Sequence, residues 1–448
     1  MATEEGRTFT PKGRATRERI LQAAASIVLD EGLSDLSLDK VRQRASVSGS
    51  QLSHYYSDKQ ALLRAVLERQ IEVVLEFHRQ PQLRGLNTFD DFERWLVLNL
   101  RYLRKIGYRG TPTYHALAGR LIKSDDATRQ TLEAGYARWV ELLEESFGRM
   151  KDRGVLVTAA QPRELAYVVV GGHQAAGTLT YAYREEWPLA ETLRFVVNYL
   201  RLFAADPTER MARRTRRPRG RRVRAAVDGE TTPTFTRKGL ATRARIVNGA
   251  AHLMFERGVH ATSLDDVRRV AGVSGSQLTH YFGDKRDLIR QVIAARAKDV
   301  VDLHAQPVMG QFDSYQALRS WADACIADID SVYLHGGCIY GSLTAELLEA
   351  DSAVLDDLAE GYDRWLELFQ NGLKQMRRRG ELTDGADPRH LAVALVAAHQ
   401  GGTMLTFISG TAEPFLIMME AALRYVNSFR MAPTTRATRV RSRSKNRT

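Results

Sequence analysis

Residues 12–59 read KGRATRERILQAAASIVLDEGLSDLSLDKVRQRASVSGSQLSHYYSDK, and residues 238–285 read KGLATRARIVNGAAHLMFERGVHATSLDDVRRVAGVSGSQLTHYFGDK. The second stretch is the first written again, displaced by the 226 positions from Lys12 to Lys238. The same displacement carries Pro81 to Pro307, Trp95 to Trp321, Tyr114 to Tyr340, Trp139 to Trp365, His173 to His399 and Pro188 to Pro414, with no insertion. A self-similarity of this length makes the 448-residue chain a tandem pair of units of roughly 200 residues each.

Each unit reads as helix throughout. Ile20, Ala23, Ala24, Ile27 and Val28 recur at three and four spacing, which marks an amphipathic helix ending near Gly32. A short helix follows from Ser37, then a turn at Val47-Ser48. Ser48 caps a third helix, with Gln51 placed to complete a capping box. A long helix is expected from near Asp58 to Gln80, and further helices at about 88–107, 112–123, 126–152, 162–184 and 189–204. Pro162, Pro188, Pro388 and Pro414 suit first-turn positions. Alternating strand patterns are absent, so the expected fold is all-α, two helical bundles. The expected divisions are headpieces at 10–60 and 233–286, regulatory bundles at 61–205 and 287–430, a linker at 206–232 and a tail at 431–448.

Lys and Arg number 65 and Asp and Glu 53, for a net charge of +12. Residues 207–224 carry +8 and residues 430–448 carry +7, which leaves −3 for everything else. The basic character therefore sits in two arms rich in Arg, Thr, Pro and Ser, which are expected to be disordered. They serve either as solubilising segments or as counterion-releasing contacts to a DNA backbone. Windows 7–60 and 233–286 carry +3 and +5, so basic headpieces stand on an acidic body. Apolar runs such as Tyr167–Val170 are far short of a membrane span, and the N-terminus lacks an apolar leader core. Two cysteines, Cys325 and Cys338, form no disulfide framework. These features point to a cytoplasmic, nucleoid-associated protein. No Walker loop, metal-ligand spacing, nucleophile elbow or dinucleotide fingerprint occurs, so neither an enzyme nor a cofactor is expected.

Two short helices joined by a tight turn form a helix-turn-helix. Its second helix must begin slim to enter a major groove ~12 Å wide, and Ser48-Gly49-Ser50-Gln51 and Ser274-Gly275-Ser276-Gln277 meet that need. Leu52 and Tyr56 turn to the core, while Ser50, Gln51, Ser53 and His54 lie largely opposite. Gln can pair with adenine, and Ser with either partner.

With these residues in place, ATRERILQAAASIVLDEG…SLDKVRQRASVSGSQLSHYYSDKQALL resembles the DNA-binding domain of the TetR/AcrR family of bacterial regulators. ATRARIVNGAAHLMFERG…SLDDVRRVAGVSGSQLTHYFGDKRDLI resembles it more closely still. The resemblance covers about fifty residues per unit. It implies two helix-turn-helices reading one operator, with an inducer in the larger domain changing their separation. Carried over by position, DNA contacts fall on Gly49, Ser50, Gln51, Ser53, Tyr55 and Lys59, and on Gly275, Ser276, Gln277, Thr279, Tyr281 and Lys285. Tyr55 and Lys59 would hold phosphates, and the middle of the helix would read bases. The family commonly has Tyr at the positions of Ser53 and Thr279, which shortens that contact here. The helical wheel adds His54 and His280, and the caps Ser48 and Ser274 complete the set.

The expected partner is double-stranded DNA bearing a near-palindromic operator, because the two reading helices differ only at Ser53/Thr279 and Tyr56/Phe282. Tethering makes the pairing of units intramolecular, a single-chain pseudo-dimer that leaves room for further pairing of chains. Candidate ligand residues come in pairs: Tyr114/Tyr340, Tyr136/Tyr362, Trp139/Trp365, His173/His399 and Gln174/Gln400. The plain alternative is that they are core. The halves differ near 110–114 and 336–340, which suggests that one half alone binds a small-molecule inducer. Cys338, beside an expected helix start, is a candidate thiol sensor, since a helix N-terminus lowers a thiol pKa; the plain alternative is an inert small residue, its counterpart being Pro112. The leading function is a ligand-responsive repressor. The alternative is a weakly specific DNA-coating protein using the Arg-rich linker and tail.

Overall fold

The computed structural model describes residues 9–107, 114–210, 235–304, 306 and 311–431. The first unit comprises α1 (Pro11–Asp30), α2 (Leu38–Ala45), α3 (Gly49–Tyr55), α4 (Lys59–Arg79), α5 (Phe89–Ile106), α6 (Tyr114–Leu121), α7 (Asp126–Asp152), α8 (Pro162–Tyr183) and α9 (Trp187–Arg201). The second comprises α10 (Arg237–Arg257), α11 (Leu264–Ala271), α12 (Gly275–Tyr281), α13 (Lys285–His304), α14 (Tyr315–Ala327), α15 (Leu334–Gly336), α16 (Ile339–Glu346), α17 (Ser352–Arg378), α18 (Pro388–Ser409) and α19 (Glu413–Asn427). Among the described residues there is no strand, only isolated bridges Leu156–Ala204 and Leu382–Arg430.

Local chemistry sets the helix starts. Thr10 and Thr236 cap α1 and α10 by accepting from the Gly13 and Gly239 amides. Ser37 and Ser263 cap α2 and α11, and Asp58 caps α4. Pro162, Pro188, Pro388 and Pro414 all occupy first-turn positions. In each unit three helices form a headpiece on a longer helical body, and the body core centres on tryptophans (Trp95 and Trp139; Trp321 and Trp365) that are essentially unexposed.

The two bodies dock through α8 against α18, flanked by α9 and α19. The backbones approach closely because the crossing is lined with glycine: a Cβ on Gly401 would lie 2.1 Å from the Gly171 carbonyl oxygen. Polar ties cross the seam, with Tyr183 donating to Asp363 (2.8 Å) and Asn198 to the Tyr425 hydroxyl (3.2 Å). His390 Nδ1 lies 2.6 Å from Glu191.

Two expectations change. Short apolar runs do not describe α18, which is long and apolar enough to cross a membrane (mean hydropathy 1.5), yet 89% of that stretch is buried inside the protein. Its apolarity comes from being covered on all sides by α8, α17 and α19. The expected linker also holds local structure at its start. Pro207–Arg210 is a largely exposed 3-10 turn in which Arg201 pairs with Glu209 and Arg210 Nε donates to the Ala204 carbonyl (2.8 Å). The rest of the linker and nearly all of the tail lie outside the described residues.

Candidate nucleic-acid interface and ligand cavity

The two reading helices are built alike. Ser48 Oγ accepts from the Gln51 amide (3.1 Å) while Gln51 Oε1 accepts from the Ser48 amide (2.9 Å), and Ser274 with Gln277 repeats both distances. Leu52 and Leu278 anchor the helices in the core. Gly49, Ser50, Gln51, Ser53 and His54 are exposed, as are Gly275, Ser276, Gln277, Thr279 and His280. Several polar groups are already engaged. Ser48 and Ser50 share a hydroxyl contact (2.9 Å), and Ser53 Oγ and Thr279 Oγ1 donate back to the Gly49 (3.0 Å) and Gly275 (3.2 Å) carbonyls. A glutamine reads adenine through both ends of its amide. Here Oε1 is committed to the cap, so Gln51 and Gln277 present one donor group unless the box opens.

Tyr55 and Tyr281 are half-buried against Phe9 and Phe235, with ring centroids 5.3 and 5.1 Å apart. His54 and His280 stand edge-on to these tyrosines at 5.0 Å. The expected phosphate-holding lysines diverge. Lys59 is exposed, whereas Lys285 donates to the Val259 carbonyl (2.8 Å), and its partial burial lowers its pKa. Ser48→Ala with Ser274→Ala removes both caps at about 1 kcal/mol each. Operator affinity should fall roughly tenfold in a fluorescence-anisotropy titration.

In unit 1 a cavity of about 130 Å³ is bounded by Phe77, Tyr102, Leu103, Tyr114, Trp139 and Leu189, with His173, Gln174 and Thr180 as polar groups. Gln174 is fully buried, and neither of its amide atoms has a hydrogen-bond partner; the Thr180 and Tyr136 hydroxyls also lack one. Unit 2 fills the same place. Tyr333, at the position of Gly107, sets its hydroxyl 3.1 Å from His399 Nε2, and Phe415, at the position of Leu189, packs on Tyr333 at 4.9 Å. Gln400 is satisfied by the Tyr362 hydroxyl (3.1 Å) and Cys338 Sγ (3.4 Å). The candidates Tyr340, Tyr362, Trp365, His399 and Gln400 are therefore brought together as packed core. Cys338 does occupy the N-cap position of α16, without a side-chain cap hydrogen bond, and burial raises its thiol pKa, opposite to the lowering expected from the helix start.

Two buried histidines escaped the sequence reading. His78 Nδ1 donates to the Val74 carbonyl (2.7 Å), and its Nε2 accepts from Trp95 (3.1 Å) and Trp139 (3.3 Å). His304 repeats this with Val300 (2.6 Å) and Trp321 (2.9 Å). Their recurrence at the repeat displacement was the available signal.

Family models for "Bacterial regulatory proteins, tetR family" match residues 20–66 and again 246–292, and a "Tetracyclin repressor-like, C-terminal domain" model matches 314–422. The chain belongs to the TetR family. It carries the TetR N-terminal unit twice. Among TetR-type relatives, the HTH-type transcriptional regulator SrpR of Pseudomonas putida is 25% identical over 147 residues, 33% of this chain and 66% of SrpR. The HTH-type transcriptional repressor KstR2 of Rhodococcus jostii is 23% identical over 142 residues, 31% of this chain and 69% of KstR2. The chain thus spans about two thirds of the length of these two relatives. A solved TetR transcriptional regulator from Chloroflexus aurantiacus aligns with 44% of this chain and all of its own length, at 22% identity and a TM-score of 0.39.

Between the cavity and the headpieces of this TetR tandem lies α6. Tyr114 opens it at the cavity wall, and Arg120 near its end pairs with Glu349 of unit 2. Glu349 in turn accepts from the Leu33 amide of headpiece 1 (3.2 Å), and Arg120 Nη2 lies 2.8 Å from His260 of headpiece 2.

Proposed function

We propose that the chain is a sequence-specific transcriptional repressor in which one polypeptide supplies both reading helices and a small molecule bound in unit 1 releases the DNA. The observation that carries this is the pair of identically capped helices, α3 and α12, each with an exposed polar face on a basic headpiece. Ser50, Ser53, His54 and their counterparts face the bases, with Gln51 and Gln277 offering a donor. Tyr55, Lys59 and Tyr281 hold phosphates, and Lys285 does so after leaving the Val259 carbonyl. The operator is near-palindromic, with half-sites ~34–36 Å apart.

Unit 1 is the sensing half because its Gln174 amide and Thr180 hydroxyl are unsatisfied at the cavity, while in unit 2 Gln400 is satisfied by Tyr362 and Cys338, His399 by Tyr333, and Phe415 helps fill the space. The ligand is small and largely apolar, with one group that bonds the Gln174 amide. The path outward runs along α6 to Arg120 and the two headpieces. The cavity is close in size to those that hold a single aromatic ring, so phenol, one ring with one hydrogen-bonding group, serves as a probe. Phenol should raise the melting temperature of the wild type, and Leu189→Phe should abolish that rise while leaving operator affinity within about twofold.

Selection of bound duplexes from a random pool, with footprinting of DNA upstream of the gene, tests the reading. It predicts one palindromic site bound ~10³-fold or more tighter than random DNA. Equal, salt-sensitive binding to every sequence would instead indicate a DNA-coating protein acting through the Arg-rich arms.

A further inference from the structure

At the junction of the two units, beneath both headpieces, Gly119 faces Ala345, and a Cβ on Gly119 would lie 2.5 Å from that of Ala345. These two residues are repeat counterparts, so the contact marks the pseudo-two-fold axis. Next to this contact in the chain lie Arg120 of unit 1 and Glu346 of unit 2, and about one turn on lie Lys123 and Glu349. Arg120 pairs with Glu349, and Lys123 with Glu346 (3.1 Å). The side chains are largely buried, with exposures of 3% and 15% in the first pair and 6% and 4% in the second.

The counterpart of Arg120 is Glu346, and the counterpart of Lys123 is Glu349. The pairs 120–349 and 123–346 are therefore one contact made twice around the axis, with every charge on one unit inverted on the other. Two copies of unit 1 pairing the same way would bring four cations together in a buried place. Two copies of unit 2 would bring four carboxylates together. Buried like charges are strongly unfavourable, and such repulsion is how interfaces reject wrong partners.

The acids also hold the headpieces. Glu349 accepts from the Leu33 amide of headpiece 1 (3.2 Å), and Glu346 from the Val259 amide of headpiece 2 (2.6 Å). Leu33 and Val259 are counterparts, and each follows a glycine held at positive φ (Gly32 and Gly258). Lys123 reaches headpiece 2 as well, with its ammonium 5.2 Å from the Phe255 ring centre.

We infer that Arg120, Lys123, Glu346 and Glu349 form a charge-inverted lock that restricts pairing to unit 1 with unit 2 and ties both headpieces to that pairing. The partner this surface fits is the chain's own other unit. The inference rests on the fold and the repeat, and its test needs no DNA.

The test transplants charges in the full-length chain. Arg120→Glu with Lys123→Glu makes both units acidic at the junction, and Glu346→Arg with Glu349→Lys makes both basic. Each double variant should melt at least ~5 °C below the wild type and show a larger radius of gyration in solution scattering. The quadruple variant exchanges the residues between halves and, because the backbone positions are pseudo-symmetric, should recover wild-type melting and size. Should a double variant fail to fold, recovery in the quadruple still decides the matter. Wild-type behaviour of the double variants, or a quadruple variant no better than they are, would overturn the lock.

Discussion

Replacing Gly401 by leucine should force the two units apart. The α8–α18 crossing leaves no room for a side chain there, and the obstacle is the Gly171 carbonyl, a backbone atom that no rotamer change can move. Overpacking a fitted core costs about 1–3 kcal/mol when side chains can adjust, and more when only backbone can yield. The melting temperature should drop by about 5–10 °C. Operator affinity should fall by on the order of a hundredfold, since the α3-to-α12 separation is set by this seam. Gly148→Ala is the control: it lies within α7, and a Cβ there meets nothing within 4 Å. It should leave operator affinity unchanged and raise the melting temperature slightly, because alanine favours helix over glycine. A Gly401→Leu chain with wild-type scattering and affinity would show that the crossing does not set the geometry of the headpieces.

The second large effect is a loss of stability on mild acidification. Burial holds the His78 imidazole down to about 4 and His399 to about 3, and lowers His304 as well. His78 Nε2 must stay unprotonated to accept two indole N–H groups. An unfolded chain protonates these histidines near 6.5. The folded values lie below the unfolded one, so the unfolded state takes up protons first as pH falls. The stability is complete above about 6.5 and drains away between there and about 3, where His399 titrates in the folded chain. At pH 5 His78 and His399 together withdraw roughly 4 kcal/mol. Thermal melts should fall by on the order of 10 °C between pH 7.5 and pH 5. The carboxylates held below their ordinary range by hydrogen bonds and nearby cations, such as Glu31, Asp58 and Asp265, lose their contribution only as pH falls into and through the ordinary carboxylate range. A flat profile from pH 7.5 to pH 5 would mean that these imidazoles are not held neutral by burial.

The sequence carried the plan where the physics is local. Caps at Ser37, Ser48 and Asp58, prolines in first turns and three-four apolar spacing all act within a few residues, and the repeat shows each of them twice. Ser48 and Gln51 were legible as a capping box from spacing alone. What spacing could not show is that the Gln51 amide oxygen is then withheld from a base, because that depends on which Gln51 atom faces the Ser48 amide.

Long-range relations were hidden in a different way. His78 reads as one more residue near the end of α4 until α5 and α7 bring Trp95 and Trp139 onto it. Arg120 and Glu346 are visibly unlike at equivalent positions, but their meaning depends on the pseudo-two-fold that sets position 120 against 349. Tyr333 plugs unit 2 only because Gly107 is its counterpart, a substitution that turns a cavity into core. The burial that raises the Cys338 thiol pKa is likewise a long-range relation, whereas the helix start beside it is local.

In the proposed function, two complementary TetR-type units in one polypeptide grip a single operator. The most direct measurement is the mass of the protein–DNA complex in solution, by light scattering with a duplex carrying one selected operator. One 50.4 kDa chain per duplex is the predicted result. Two chains on every single-operator duplex, at all protein concentrations that bind, would contradict it.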